Sequence, residues 1–155
     1  MLRKIVSGGQ TGVDRAALDV GLALGLAVGG WCPRGRRAED GRIPDPYPLV
    51  ETPEPDYETR TCHNVEESDG TLILNRGVLD GGTALTAGHA RQVGKPCLIV
   101  ALEAGIEPAA FRDWLAAHHI QVLNVAGPRE SQRPGVYAAT VRGLETLLRT
   151  LLPHE

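Results

Sequence analysis

Aromatic residues are scarce in this chain: one Phe, two Trp and three Tyr, 4% of the total. A surface that binds single strands stacks successive bases on such rings, so this composition argues against one. Long basic runs are also missing. Lys and Arg number 16 against 19 Asp and Glu, a formal charge of −3, whereas a duplex-binding face needs concentrated positive charge. No nucleic-acid partner is expected. Nor is there an apolar run of the roughly 20 residues that a bilayer requires, so no membrane partner is expected either. The three cysteines, Cys32, Cys62 and Cys97, form neither a CxxC pair nor a zinc-ligand spacing. Their odd number and the lack of a leader-like start point to free thiols and a cytoplasmic location, with no metal site.

What is present fits one globular domain over residues 1–155, with 42% hydrophobic and 23% charged residues. The segment that organises the rest is Ile5-Val6-Ser7-Gly8-Gly9-Gln10-Thr11-Gly12-Val13-Asp14. An apolar run ends in a glycine turn, and helical spacing begins at once (Ala16, Ala17, Val20, Leu24). A strand over 2–7 and a helix from Val13 to Gly25 follow from that pattern. A second strand is expected from Leu26 to Trp31. From Cys32 to about residue 56 the chain carries six of its 11 prolines, which reads as a long loop. A short helix over Tyr57–Ser68 precedes the third strand, Gly70–Leu74. A helix near Ala84–Val93 stops at Gly94, and the fourth strand is Cys97–Ala101. Pro108 opens another helix, Ile120–Val125 is the fifth strand, and Val136–Leu152 is the last helix. Strands alternating with helices predict an α/β three-layer sandwich, Rossmann-like, around a parallel sheet of about five strands. The expected order is 2-1-3-4-5 or similar.

Ligands of such sheets bind beyond the carboxyl ends of the strands, where the strand order reverses. In the expected order that point lies between strands one and three. Two glycine-rich loops follow those strands. The first supplies Gly8, Gly9, Gln10 and Thr11. The second, Asn75 to Thr83, supplies Asn75, Gly81, Gly82 and Thr83, with Thr83 placed to cap the next helix. Glycines admit close backbone approach, and helix starts present unpaired N–H groups, so the pair reads as a cradle for a phosphate or similar anion. Packing alone would also explain the first turn. Asp14 fits two roles, offsetting the helix dipole or touching a ligand. Arg34 and Arg36 suit a bidentate hold on phosphate, or equally pair with the acids Asp40, Asp45, Glu51, Glu54 and Asp56 of the same loop. Trp31 is placed to flank a ring. Asn124, Arg129 and Ser131, at and after the fifth strand, are placed at the far end of the ligand or against a neighbouring subunit. Phe111 and Trp114 form an apolar helix face, either core or anchors of a subunit interface.

In combination these segments resemble the putative molybdenum carrier family. The matching stretches include Gly8-Gly9-Gln10-Thr11-Gly12-Val13-Asp14, Gly30-Trp31-Cys32-Pro33, Asp40-Gly41, Tyr57, Arg60-Thr61, Asn64-Val65, Ser68-Asp69-Gly70-Thr71, Gly81-Gly82-Thr83 and Leu123-Asn124-Val125-Ala126-Gly127-Pro128-Arg129-Glu130-Ser131. That family belongs to the SLOG group of Rossmann-like nucleotide-binding proteins, which also holds the lonely-guy phosphoribohydrolases. The resemblance implies a domain, often oligomeric, that binds a phosphorylated nucleotide-like or pterin ligand, with molybdenum cofactor as the family's candidate. It implies a carrier rather than an enzyme. The lonely-guy signature GGxGTxxE ends in a glutamate, and Gly82-Thr83 aligned on its Gly-Thr leaves Thr86 in that place. A threonine has no carboxylate for acid–base work or for stabilising an oxocarbenium ion. The alternative reading is a nucleotide-processing hydrolase that uses Asp14 or Glu130 instead. A homo-oligomer is expected.

Overall fold

In the computed structural model, residues 1–152 are described. β1 (Lys4–Val6) passes through the glycine turn into α1 (Val13–Ala23). β2 (Ala27–Gly29), β3 (Trp31–Cys32), β4 (Arg37–Ala38), β5 (Gly41–Arg42) and β6 (Val50–Glu51) follow. Then come α2 (Tyr57–Glu67), β7 (Gly70–Asn75), α3 (Gly81–Gln92), β8 (Cys97–Ala101), α4 (Pro108–Ala117), β9 (Val122–Ala126) and α5 (Val136–Arg149). β1, β2, β7, β8 and β9 make one five-stranded sheet, and every pairing in it is parallel. α1 packs against α5 on one face, α2 against α3 on the other. The α/β sandwich is therefore Rossmann-like, as its strand–helix alternation predicts. Because helices cover both faces, all six residues of β7 are buried, which is why it reads as a continuous apolar run.

The strand order is β2-β1-β9-β7-β8. This corrects the expected 2-1-3-4-5: the last strand inserts between the first and third. Counted with β9 first, the same sheet reads 3-2-1-4-5, the start of the usual doubly wound order. The chain thus begins one βα unit late and supplies its central strand last. The point of reversal lies between β9 and β7, not between β1 and β7. Adjacency in a parallel sheet is set by long crossovers, so no local pattern of residues encodes it.

Gly30 breaks the expected second strand into β2 and β3. Its φ is +128°, and a Cβ there would stand 2.3 Å from the Ser7 carbonyl oxygen. The proline-rich segment is more ordered than a plain loop. β3 pairs with β6, and β4 with β5 in a hairpin. Beneath them Leu18 of α1, Cys32, Ala38, Ile43 and Leu49 form a second small core. Phe111 is wholly buried in the main core and stacks near Trp114, so it is not an interface anchor. No helix among the described residues is long and apolar enough to cross a membrane.

Candidate functional site

Three βα loops meet above the carboxyl ends of β1, β7 and β9. Between them lies a crevice with about 150 Å³ of free space, lined by residues from all three and by α2. From the first loop it takes Gly8 and Gln10, with Asp14 of α1 beneath. Gln10 holds the wall in shape: its Oε1 accepts from the amides of Thr11 (3.0 Å) and Glu39 (2.8 Å). From the second it takes Gly82, Thr83 and Thr86. From the third come Asn124, Gly127, Arg129 and Gln132.

The second loop differs from expectation at its helix start. α3 begins at Gly81, so Thr83 lies in the first turn rather than at the cap, which is Asp80. The first intrahelical bond runs from the Ala84 amide to the Asp80 carbonyl, at 3.1 Å. The amides of Gly81, Gly82 and Thr83 have no helical acceptor and carry the positive end of the dipole. The Asp80 carboxylate does not cover them. It accepts instead from Gln132 Nε2 (2.5 Å) and Arg133 Nη2 (3.4 Å).

α2 contributes a polar stripe that site prediction missed. Tyr57, Arg60, Thr61 and Asn64 all line the crevice. Their spacing of three and four residues was the available signal: four polar or amphipathic side chains recurring on one face of a helix. Arg60 is 7% exposed and donates from Nη1 to the Gly8 carbonyl at 2.7 Å. A Cβ on Gly8 would sit 2.6 Å from that same nitrogen, so the glycine makes room for the guanidinium. Tyr57 lies between Arg37 and Arg60, with their guanidinium carbons 4.6 and 5.2 Å from its ring centre.

Asp14 is the unusual acid. It is 7% exposed. Burial pushes its pKa up to about 6, although the Arg60 charge, the Gln10 amide and Arg15 all pull the other way. Its carboxylate accepts from the Gln10 amide, at 3.3 Å. The other acids at the loop ends are engaged in structure. Glu130 accepts from the amides of Gly135 (2.6 Å) and Tyr137 (2.9 Å) and so caps α5. Asp69 accepts from the amides of Gln121 and Val122.

Several expected contacts lie elsewhere. Arg36 is buried, and its guanidinium donates to the carbonyls of Ile43, Leu49, Pro44 and Tyr47. It ties the proline-rich segment together and does not face the crevice. Arg34 is exposed, outside the crevice. Trp31 exchanges backbone hydrogen bonds with the Asn64 side chain and meets His63 edge-on; Tyr57 is the aromatic residue at the crevice. Asn75 is buried and bonds the Gly77 carbonyl. Gly9 and Gly81 flank the site without lining it, and Thr11 and Ser131 are turned toward Glu39. Among the described residues no group of His, Cys, Asp and Glu could hold a metal ion.

Residues 5–148 match the model of the circularly permutated YpsA SLOG family. A solved structure of a protein described as "Putative molybdenum carrier protein", from Syntrophus aciditrophicus SB, is 50% identical, with 95% of each chain covered and a TM-score of 0.91. No curated protein matches the chain. The strand order, with β9 in the place of a first strand, is that of a circularly permuted doubly wound sheet.

Proposed function

Since the chain belongs to the circularly permutated YpsA SLOG family, we propose that it is a binding protein for a small phosphorylated ligand, nucleotide-like or pterin, held at the three-loop crevice. The observation that carries this reading is the convergence of unpaired α3 amides and the Arg60 guanidinium on one concave site. Fixed donors and a buried cation recognise phosphate oxygens without rearrangement. The free space of about 150 Å³ suits a phosphoryl head group, with the rest of the ligand reaching outward. Tyr57 lines the crevice and packs on the Arg60 guanidinium. Molybdenum cofactor carries a phosphate on its pterin side chain, and with no metal-ligating cluster among the described residues its hold here would run through that phosphate and through hydrogen bonds. A cytoplasmic setting suits the three free cysteines, and a homo-oligomer belongs to the same reading, to be checked by mass in solution.

Titration of the purified chain with AMP, ADP-ribose, NAD and molybdenum cofactor tests the proposal. Saturable binding of at least one is expected. Arg60→Met should weaken it by roughly tenfold or more, since a hydrogen bond to a charged group is worth about 1.5–3 kcal/mol. Correctly folded protein that binds none of the four overturns it.

A second reading rests on Asp14. A carboxyl with a pKa of about 6 at the crevice has the acidity that acid–base catalysis at neutral pH requires. In that case the chain hydrolyses its ligand, and Asp14→Asn abolishes product release. Wild-type protein that releases nothing above background from a nucleotide panel removes this reading.

A further inference from the structure

Beside the crevice, the tip of the β4–β5 hairpin reaches across to two of the three loops. Glu39 at that tip accepts from Thr11 Oγ1 and from Ser131 Oγ. It also accepts from the Ser131 amide at 3.2 Å and pairs with Arg129 Nε at 3.4 Å. Two hydroxyls, one amide and one guanidinium thus converge on a single carboxylate. Burial works against the Glu39 charge, but the hydrogen bonds from Ser131 and Thr11 and the Arg129 charge outweigh it and hold its pKa below the usual range. The neighbouring acids are turned away: Asp40 pairs with Arg15 at 3.1 Å, and Glu130 caps α5.

The four donors fill the lone-pair positions that the two oxygens of an ionised carboxylate offer. A planar monoanion with two oxygens occupies a set of donors spread over two loops, one member of which, Arg129, also lines the crevice. A tetrahedral dianion has more oxygens and more charge for the same groups. The Glu39 side chain is only partly enclosed, at 23% exposure, so water can take over its hydrogen bonds when it leaves. The Glu39 amide is anchored independently on Gln10 Oε1 at 2.8 Å, so its carboxylate can swing out while the hairpin stays in place.

We propose that Thr11, Ser131 and Arg129 form an oxyanion subsite which the Glu39 carboxylate fills as a built-in competitor, displaced when a tetrahedral oxyanion binds. This deepens the reading of the crevice as a phosphate-ligand site and rests on it. The subsite is the second anchor, next to the α3 amides, for a ligand with two phosphoryl groups or with a free oxyanion at its far end.

Calorimetric titration with inorganic phosphate, pyrophosphate and molybdate tests it. Glu39→Gln keeps the size and removes the charge, and should tighten anion binding by roughly tenfold. Adding Ser131→Ala to that variant should cancel the gain. A gain for phosphate and pyrophosphate identifies a phosphoryl source; a gain for molybdate alone identifies a free metal oxyanion. A crystal of the wild-type protein grown with the tighter anion should show Glu39 rotated out and the anion on the Ser131 amide. Unchanged or weaker anion binding by folded Glu39→Gln overturns the subsite, and nucleotide binding that still depends on Arg60 then leaves the crevice reading intact. Failure of both, with no ligand bound by either protein, overturns the two together.

Discussion

Asp14→Asn should make the protein more stable at pH 8 and leave it unchanged at pH 3.5. The Asp14 pKa is raised from 3.8 to about 6 by burial. The folded state therefore holds its proton more tightly than the unfolded chain does, and stability falls as pH rises from about 4 through 6. Below 3.8 both states are protonated and the group contributes its full share. Above 6 the folded state carries a desolvated carboxylate at a cost of up to about 3 kcal/mol, each pKa unit being worth 1.36 kcal/mol. Asparagine keeps the oxygen that accepts from the Gln10 amide but never ionises. Its advantage should grow from nothing at pH 3.5 to as much as about 3 kcal/mol at pH 8, roughly 6–12 °C in Tm for a chain of this size. Thermal melts of both proteins across that range check it. A flat difference, or a loss at pH 8, would mean that Asp14 is ionised without penalty. An acid that lowers stability at neutral pH and faces the crevice is the kind of residue held for function rather than for folding.

A second pair of substitutions should separate the glycines that build the site from those that open it. Gly12→Ala is expected to be severely destabilising, by about 2–6 kcal/mol, because two penalties combine: a left-handed backbone costs about 1–3 and forced overpacking about 1–3. Gly12 has φ +80°, and a Cβ there would stand 2.4 Å from the Pro128 carbonyl oxygen and 2.8 Å from the Glu130 nitrogen. Both obstacles are backbone atoms of the loop after β9, so nothing flexible can yield. Gly82→Ala has the opposite expectation. Its Cβ would meet nothing within 4 Å, and alanine favours a helix over glycine by up to about 1 kcal/mol. Stability should hold or rise slightly while affinity for the phosphorylated ligand falls, because the new methyl stands where the ligand approaches the α3 amides. Denaturant unfolding and ligand titration on the two variants read the contrast. Equal stability losses would contradict it.

The elements were legible because each carries a local signal. Pro108 at the start of α4 and Gly94 after α3 mark helix ends by backbone geometry alone. The buried apolar run of β7 follows from a sheet covered on both faces. Gln10, Asp14, Thr83, Asn124 and Arg129 stand in or beside βα loops in the sequence, and the structure brings all five to one crevice. Arg36 donates to the carbonyls of its own loop, neither to a ligand nor to the loop's acids, and an arginine among prolines looks the same in sequence in all three cases. In the sequence Arg60 and Asn64 stand out only through the family resemblance, and a polar stripe on a short helix does not by itself say what it faces. Only its packing beside the glycine turn makes it part of the site.

From the order of its residues alone the chain is committed to alternating strands and helices and to glycine turns at strand ends. These are properties of neighbours along the backbone, where steric limits, helix capping and apolar periodicity act within a few residues. The central place of β9, the engagement of Glu39 and Glu130 by backbone amides, and the burial that raises Asp14 belong to the tertiary structure. Each depends on groups far apart in the chain meeting across the sheet, and sheet adjacency and desolvation arise only once the layers have packed.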